Sequence, residues 1–464
     1  MSADGIRREL GGEARAGAER AARSDGMNLT VSSLDGVASL VRFAADIDRL
    51  NLASAHPNPF LSSAFLLSYA LRSEYYVPGK EERLYLIREG DRLIGCAPMR
   101  IAKNQFGIAG VLPLTASASL RFLAPLDSEH PGILSAAEDG ERVAAALIRC
   151  ICNEPGCGML EFAGQQPGAA LYRVAHAAAG AKFRVRDIKV EPYNDIPIAW
   201  ESLAAYFQSL VKKMRSNISR QARRLFSNGD VQLILAEGGA AASAWFDVYC
   251  DLDGRSWKHN TESSIHRHPR RVRFYREIAA GKAGLYPEFI GVVLDGVLIA
   301  GLLMGSNSTW SPHSHGAWCL EMAYDQSRAD LGPGQLLLLL AVGRAIEKNH
   351  KHLSFMQNFA YYKHRWGAEA IEVVNVQLIR RASLHNVRAS LGDLRQKLRS
   401  KPKTGEAAAA EATQPSEENT ETNPSPTGNN RARELTSVAL AYAGAGIRRL
   451  DRESCKAHLP FDIE

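Results

Sequence analysis

Seven consecutive residues, Tyr361-Tyr362-Lys363-His364-Arg365-Trp366-Gly367, crowd phenol, ammonium, imidazole, guanidinium and indole groups into one stretch. A phenol such as Tyr362 can hand a proton to a leaving group. Lys363 carries a compact charge with three donors and can stabilise an oxyanion or a phosphate. Trp366-Gly367 reads more simply as an anchor against a sheet, and the plainest reading of the segment is a surface turn with aromatic anchors. Upstream, Glu321 sits in the β-prone run 317–324. Strand alternation there puts Trp318, Leu320, Met322 and Tyr324 on one face and Cys319, Glu321, Ala323 and Asp325 on the other. A carboxylate at a strand centre either faces water or serves as a base, and Asp325 at the strand end caps a turn. Extended backwards, the polar face reaches His313 and His315. Such a His/Cys/Glu face invites a metal, but an exposed histidine loop explains it as well, and no metal is expected.

A second constellation begins at Gly332-Pro333-Gly334, followed by Gln335 and an apolar helical run to residue 349. Glycines let backbone N–H groups approach an anion, and a helix N-terminus adds a partial positive charge. Arg328 lies just upstream. Pro333 removes one donor, so a tight strand-to-helix turn is the competing explanation. Residues 203–225 read as one long helical pattern, whose basic part, 212–224, sets Lys212, Lys213, Arg215, Arg220, Arg223 and Arg224 around Asn217. That face is either solvated or aimed at a phosphorylated ligand. Trp257-Lys258 closes another helical pattern and either walls a pocket or simply packs.

The elements that must hold these groups follow an order. Runs 288–294 and 297–304 flank Asp295-Gly296, a strong hairpin signal because both turn residues must take positive φ. A third strand, 317–324, leads to the glycine loop and its helix. A short strand at 353–356 precedes the Tyr361–Gly367 segment, and a last β-rich run, 370–380, closes the unit. This order resembles the acyl-CoA-dependent N-acyltransferase (GNAT) core. Tyr324-Asp325, Gly332-Pro333-Gly334 with Gln335-Leu336-Leu337, Tyr362-Lys363-x-x-Trp366-Gly367, Lys212-Lys213-Met214-Arg215-Ser216-Asn217-Ile218 and Ser256-Trp257-Lys258 carry it. They look like the branch holding CelD-type acetyltransferases of cellulose biosynthesis and FemAB-type aminoacyltransferases. The likeness covers residues 200–380, and more weakly 50–195.

What the resemblance implies is an acyl group, acetyl first, moved from acyl-CoA to an amine or hydroxyl, with a sugar or polysaccharide-precursor acceptor. Glu321, Tyr362 and Lys363 become the catalytic candidates, and the family's functional lysine maps to Lys363. Arg328, Gly332, Gly334 and Gln335 become the cofactor cradle, and Arg215, Asn217, Trp257, Lys258 and Trp366 the substrate contacts. The loop departs from the family fingerprint: Ala329 stands where an Arg or Gln is usual, with Arg328 one position early. Two other readings remain, an aminoacyltransferase fed by aminoacyl-tRNA and a non-catalytic scaffold of a polysaccharide-synthesis assembly.

The region 83–190 repeats the same element order without repeating its residues, so the fold class is α/β (α+β). It is expected as two tandem GNAT-like domains, each a mixed, mostly antiparallel sheet flanked by helices. Residues 1–27 read as a disordered leader and 28–198 as the first domain, a scaffold because it lacks the glycine loop. Residues 199–398 read as the catalytic domain, with 401–430 a disordered linker and 431–450 a short helix within the tail 399–464.

At 464 residues the chain can bury more than one core; 45% hydrophobic and 23% charged residues are ordinary for a globular protein. The net charge of +6 permits an anionic ligand but does not mark a dedicated DNA binder. Seven cysteines, an odd number, and the absence of a signal-like segment lead us to expect reduced thiols and a cytoplasmic address. No apolar run reaches the ~20 residues that span a bilayer. Gly-x-Ser-x-Gly, HExxH and Walker motifs are missing, which leaves hydrolase, zincin and NTPase readings without support.

Overall fold

Asp295 and Gly296 both take positive φ, 50° and 74°, as a two-residue hairpin turn requires. In this computed structural model, which describes residues 20–23, 28–72, 82–103, 118–123, 128–154, 156–180, 182–259, 261, 263–307, 316–357, 361–399, 436 and 446–463, that hairpin sits at the middle of the second of two sheets. The first strands are β1 (Arg20–Arg23), β2 (Leu29–Asp35), β3 (Glu82–Glu89), β4 (Arg92–Lys103), β5 (Ala118–Phe122), β6 (Leu134–Ser135), β7 (Cys157–Gln165), β8 (Phe183–Lys189) and β9 (Tyr193–Pro197). They are followed by β10 (Val231–Glu237), β11 (Tyr286–Leu294), β12 (Val297–Ser306), β13 (Gly316–Tyr324), β14 (His352–Ser354), β15 (Glu369–Ile371), β16 (Val374–Arg380) and β17 (Ile447–Leu450). The helices of the first half are α1 (Val37–Arg42), α2 (Ala44–Leu52), α3 (Ser63–Arg72), α4 (Gly140–Cys152) and α5 (Ala170–Ala177). Those of the second are α6 (Leu203–Ser209), α7 (Lys212–Ser227), α8 (Gly239–Asp253), α9 (Pro269–Ala279), α10 (Pro333–Glu347), α11 (Tyr361–Arg365), α12 (Leu384–Arg399) and α13 (Arg452–His458).

The two sheets match strand for strand. One runs β1-β2-β3-β4-β5-β7-β16-β8, with β6 beside β4; the other, read from the opposite end, runs β17-β10-β11-β12-β13-β14-β9-β15. Each is antiparallel except at one place, β5 with β7 and β13 with β14. The doubled mixed α/β architecture expected from the sequence is present.

One feature of the doubling was not legible. The strand beside β7 is β16, from the second half of the chain, and the strand beside β14 is β9, from the first. A border at 198/199 therefore does not part the sheets, and the run 370–380 does not close the second unit alone. Ala370 pairs with Asn194 of β9, whereas Val374–Arg380 joins the first sheet. Alternating apolar residues specify a half-buried strand but not its partner.

Three hydrophobic clusters define the layers. Val143, Leu147 and Ile151 of α4 cover one face of the first sheet with Tyr85 and Met99. Helices α1 to α3 and α8 to α9 share the layer between the sheets, where Phe65, Tyr69 and Phe274 meet edge to face. The outer face of the second sheet is covered by α6, α7 and the all-round apolar α10.

Three expectations change at the level of elements. The helical pattern 203–225 is two helices, because Val211 is extended at φ −61° and ψ 141°. Residues 20–23 of the expected leader pair with Thr30–Ser33 of β2. The end of the expected tail helix is strand β17, which adds to the edge of β10, and Cys455, Leu459 and Ile463 beyond it enter the outer core. Linker residues 401–430 lie outside the described residues. Among the described residues no helix is long and apolar enough to cross a membrane.

Candidate active site

Strands β13 and β14 run parallel for three residues, Gly316–Trp318 against His352–Ser354, and then part. β13 continues to Tyr324, while the chain after Ser354 turns away through Met356 at φ 58°. Beside this fork β13 carries a bulge: Leu303 faces Glu321 and Met304 faces Cys319, so Leu320 is the extra residue. An extra residue breaks the two-residue alternation and re-aims the side chains after it. Trp318, Leu320 and Ala323 consequently pack into the layer between the sheets, whereas Cys319, Met322 and Tyr324 pack toward the outer face. The uninterrupted alternation read from the sequence is corrected here, and with it the grouping of Trp318 with Met322 and Tyr324.

On the outer face the glycine turn opens α10. Gly332 has φ 63°, and a Cβ there would stand 2.4 Å from Gln221 Oε1; one on Gly334 would stand 3.1 Å from the Tyr324 ring. Pro333, first in the helix, has no N–H, and the N–H groups of Gln335 and Leu336 turn back to the Gly332 carbonyl. The Gly334 N–H has no backbone acceptor among the described residues. Helix α7 crosses this turn: Asn217 Nδ2 donates to Gln335 Oε1 at 3.3 Å and to Gln221 Oε1 at 3.4 Å, and Arg220 donates to Asn217 Oδ1 at 2.8 Å.

Between α7, α10, α11 and β13 lies a cleft of about 1060 Å³, just above the ~300–1,000 Å³ range of small-molecule sites. Lys213, Arg220 and Arg365 line it, and among the described residues no carboxylate does. Its apolar walls are Met322, Tyr324, Leu338, Trp257 and Trp366. Trp366 is buried and fixed by the Tyr206 hydroxyl, which donates to its carbonyl at 2.8 Å. Trp257 is 46% exposed at the rim, placed there by a bridge between Ser256 and Asp325.

Six of the twelve catalytic, cofactor and substrate candidates thus meet at one cleft: Asn217, Trp257, Gly332, Gly334, Gln335 and Trp366. Others are occupied elsewhere. Arg215 does not line the cleft; its guanidinium donates to the carbonyls of Gln208 and Leu210, at 2.7 and 2.5 Å, and ties the start of α7 to the end of α6. Arg328 is exposed on the turn before Gly332, outside the cleft lining. Lys258 is buried and joined at 2.7 Å to Glu321, which also receives Arg271 at 3.1 Å. Glu321 is thus neutralised by two cations in the layer between the sheets.

Lys363 is buried as well. Its ammonium donates to the carbonyls of Phe355 at 2.8 Å, Met356 at 3.4 Å and Gln357 at 3.3 Å. All three of its protons are engaged with the carbonyls of the chain that bends away after β14, so Lys363 braces that bend. Burial pulls its pKa down to about 8, with Cys319 and Glu129 acting in the opposite sense. Tyr362 falls in α11, and its side chain lies outside the described residues, as do His313 and His315. Among the described residues no group of His, Cys, Asp and Glu could hold a metal ion.

Two contributors went unnoticed in the sequence. Gln221, inside the basic helix, carries no charge to mark it, although it lies one helical turn from Asn217. Glu129 lies in an irregular stretch with no motif around it, and the first half of the chain brings it to the fork.

Residues 212–364 match the family model of the acetyltransferase (GNAT) domain. Similar solved structures include a conserved protein of unknown function from Bacteroides thetaiotaomicron VPI-5482, at 10% identity over 73% of this chain and 97% of that one, with a TM-score of 0.45. A tandem GNAT protein from the clavulanic acid biosynthesis pathway is similar at 12% identity over 75% and 98%, TM-score 0.42, and FemX at 12% over 75% and 98%, TM-score 0.39. At that level of likeness these structures bear on neither ligand nor activity. Among curated proteins none matches the chain.

Proposed function

We propose that the protein is an acyltransferase that takes an acyl group, acetyl in the first instance, from acyl-CoA and passes it to an amine or hydroxyl. The observation that carries this reading is the composition of the cleft at the glycine turn: among the described residues that line it, three cationic side chains, no carboxylate, and an apolar inner wall on β13 and α10. Phosphates suit the outer part, where Lys213, Arg220 and the Gly334 N–H converge with the positive end of α10. A pantetheine arm suits the wall of Met322, Tyr324, Leu338 and Trp366. The thioester then reaches the fork, where Lys363 braces the bend after β14 and the carbonyl can be attacked directly, with no covalent enzyme intermediate.

A donor carried on tRNA is the competing assignment, and a broad basic surface is what it would need. Two further bases of α7 are already engaged: Arg224 pairs with Asp330 at 2.6 Å, and Arg223 Nε donates to the Asp462 carbonyl at 3.1 Å. That favours a cleft-bound carrier. Sugars and polysaccharide precursors are the first acceptors to assay, as the resemblance implies.

The test is thiol release from acetyl-CoA, followed with Ellman's reagent across amine, hydroxyl and sugar acceptors, beside CoA-dependent thermal stabilisation. Acceptor-dependent thiol release with a positive thermal shift is expected. Neither signal from acetyl-CoA, together with a mobility shift of charged tRNA, would replace the donor; neither with any donor would leave a scaffold.

A further inference from the structure

Glu129 stands where β13 and β14 separate. Its Oε2 accepts from Trp318 Nε1 at 2.7 Å and its Oε1 from the Ser354 hydroxyl, and Trp318 with Ser354 is the last pair of the parallel ladder. The residue is held from both units. Asn58 Nδ2 donates to the carbonyls of Glu129 at 2.8 Å and His130 at 3.1 Å, and the His130 N–H donates to the Tyr193 hydroxyl at 3.3 Å. Strain flanks it on both sides: His130 has φ 48° and Met356, two residues beyond Ser354, has φ 58°. Non-glycine residues held in the left-handed region are strained and cluster at working sites.

Glu129 is 3% exposed. Glu321 nearby is neutralised by Lys258 and Arg271, whereas among the described residues no cation lies within ion-pairing distance of Glu129. A buried carboxyl served by two neutral donors is an expensive arrangement, and such exceptions call for a reason.

We propose that Glu129 is the general base of the transfer step, supplied by the first unit to a donor bound by the second; this rests on the acyl-CoA reading above. The acceptor heteroatom attacks the thioester carbonyl at the fork, while the donor enters from the outer cleft. As the new bond to carbon forms, the acceptor's proton passes to a free lone pair of the Glu129 carboxylate. The C–S bond then breaks, CoA leaves as thiolate, and the proton now on Glu129 returns to it through solvent. Burial, with Asp195 adding to it, pushes the Glu129 carboxyl up to about 8, against the hydrogen bonds from Ser354 and Trp318 and the charge of Lys363. Tyr193 on β9 and Cys319 on β13 also face it. A base that titrates near the working pH is the effective kind.

Glu129→Gln keeps both hydrogen bonds, since its amide can accept from the indole and donate to the Ser354 hydroxyl, but it cannot take a proton. Acetyl-CoA binding by thermal shift should match the wild type. Thiol release should fall by roughly 10²- to 10⁴-fold, and the rise of kcat/KM with pH should disappear. Trp318→Phe keeps the carboxyl but removes a hydrogen bond that favours its ionised form, so that rise should move to higher pH. Unchanged turnover and pH dependence in a folded Glu129→Gln, or a rise unmoved in Trp318→Phe, would overturn the assignment while leaving the donor intact. Loss of acetyl-CoA binding in every variant, wild type included, would overturn the donor reading and this inference with it.

Discussion

Glu321 and Lys363 approach the second sheet from opposite faces. Glu321 lies against Tyr249, Lys258 and Arg271 between the two sheets, and Lys363 comes from α11, beside Cys319 and Trp366 of the outer layer. The two side chains best suited to chemistry in the sequence therefore do not form a pair. What joins the two faces is the fork between β13 and β14, with Lys363 on its bent strand and Glu129 at its vertex.

Removing the Glu321 charge should damage folding more than chemistry. Glu321→Gln leaves Lys258 and Arg271 buried without their counter-charge, a change that costs about 3–5 kcal/mol in comparable buried pairs. Thermal denaturation should show a large drop in Tm, and acetyl-CoA affinity of the folded fraction should be preserved. A small Tm change with selective loss of turnover would restore Glu321 as a catalytic group.

Gly332→Ala should weaken both the fold and donor binding. Alanine at φ 63° costs about 1–2 kcal/mol in backbone strain and places a methyl 2.4 Å from Gln221 Oε1. Adding Gln221→Ala should recover the packing part, seen in Tm, and not the strain. Equal stability of single and double variants would contradict this.

Arg220 and Arg215 sit five residues apart and should separate cleanly. Arg220→Ala removes a cation from the cleft, so CoA affinity should fall by roughly 10- to 100-fold, in keeping with ~1.5–3 kcal/mol for a charged hydrogen bond. The gap should narrow at high salt. Arg215→Ala, which loses two helix-end contacts, should lower Tm and leave the affinity and its salt dependence alone.

The two buried titrating groups should give stability slopes of opposite sign. Lys363 is lowered from 10.5 to about 8, so from pH 8 to 10.5 the unfolded chain binds a proton that the folded chain has lost, and stability rises with pH across that window. Glu129 is raised from 4.5 to about 8. Its contribution is fully present below pH 4.5 and is lost as pH rises through 8. Denaturant titrations of Lys363→Met and Glu129→Gln against the wild type should each remove one slope.

Legibility followed the range of the forces involved. Asp295-Gly296, the glycine turn before α10 and the apolar run of that helix are local, and each appears where residue type demanded it. The bulge at Leu320 is not local: it depends on how β12 and β13 register, and one unpaired residue moved Glu321 to the face of Trp318. The exchange of β9 and β16 depends on partners about 150 residues away or more, to which the alternation of either strand is blind. Glu129 had no signal at all, because its meaning comes from Trp318 and Ser354, both far along the chain. The cleft residues Asn217, Gly332, Gly334, Gln335 and Trp366 were found because a resemblance supplied the long-range pairing that periodicity lacks.

The most direct measurement is a crystal structure of the protein soaked with CoA. The pyrophosphate should lie within hydrogen-bond distance of the Gly334 N–H and Arg220, with the pantetheine along Met322 and Tyr324 and its sulfur at the fork beside Ser354. Density for CoA elsewhere, or an unchanged empty cleft at saturating CoA, would contradict the assignment.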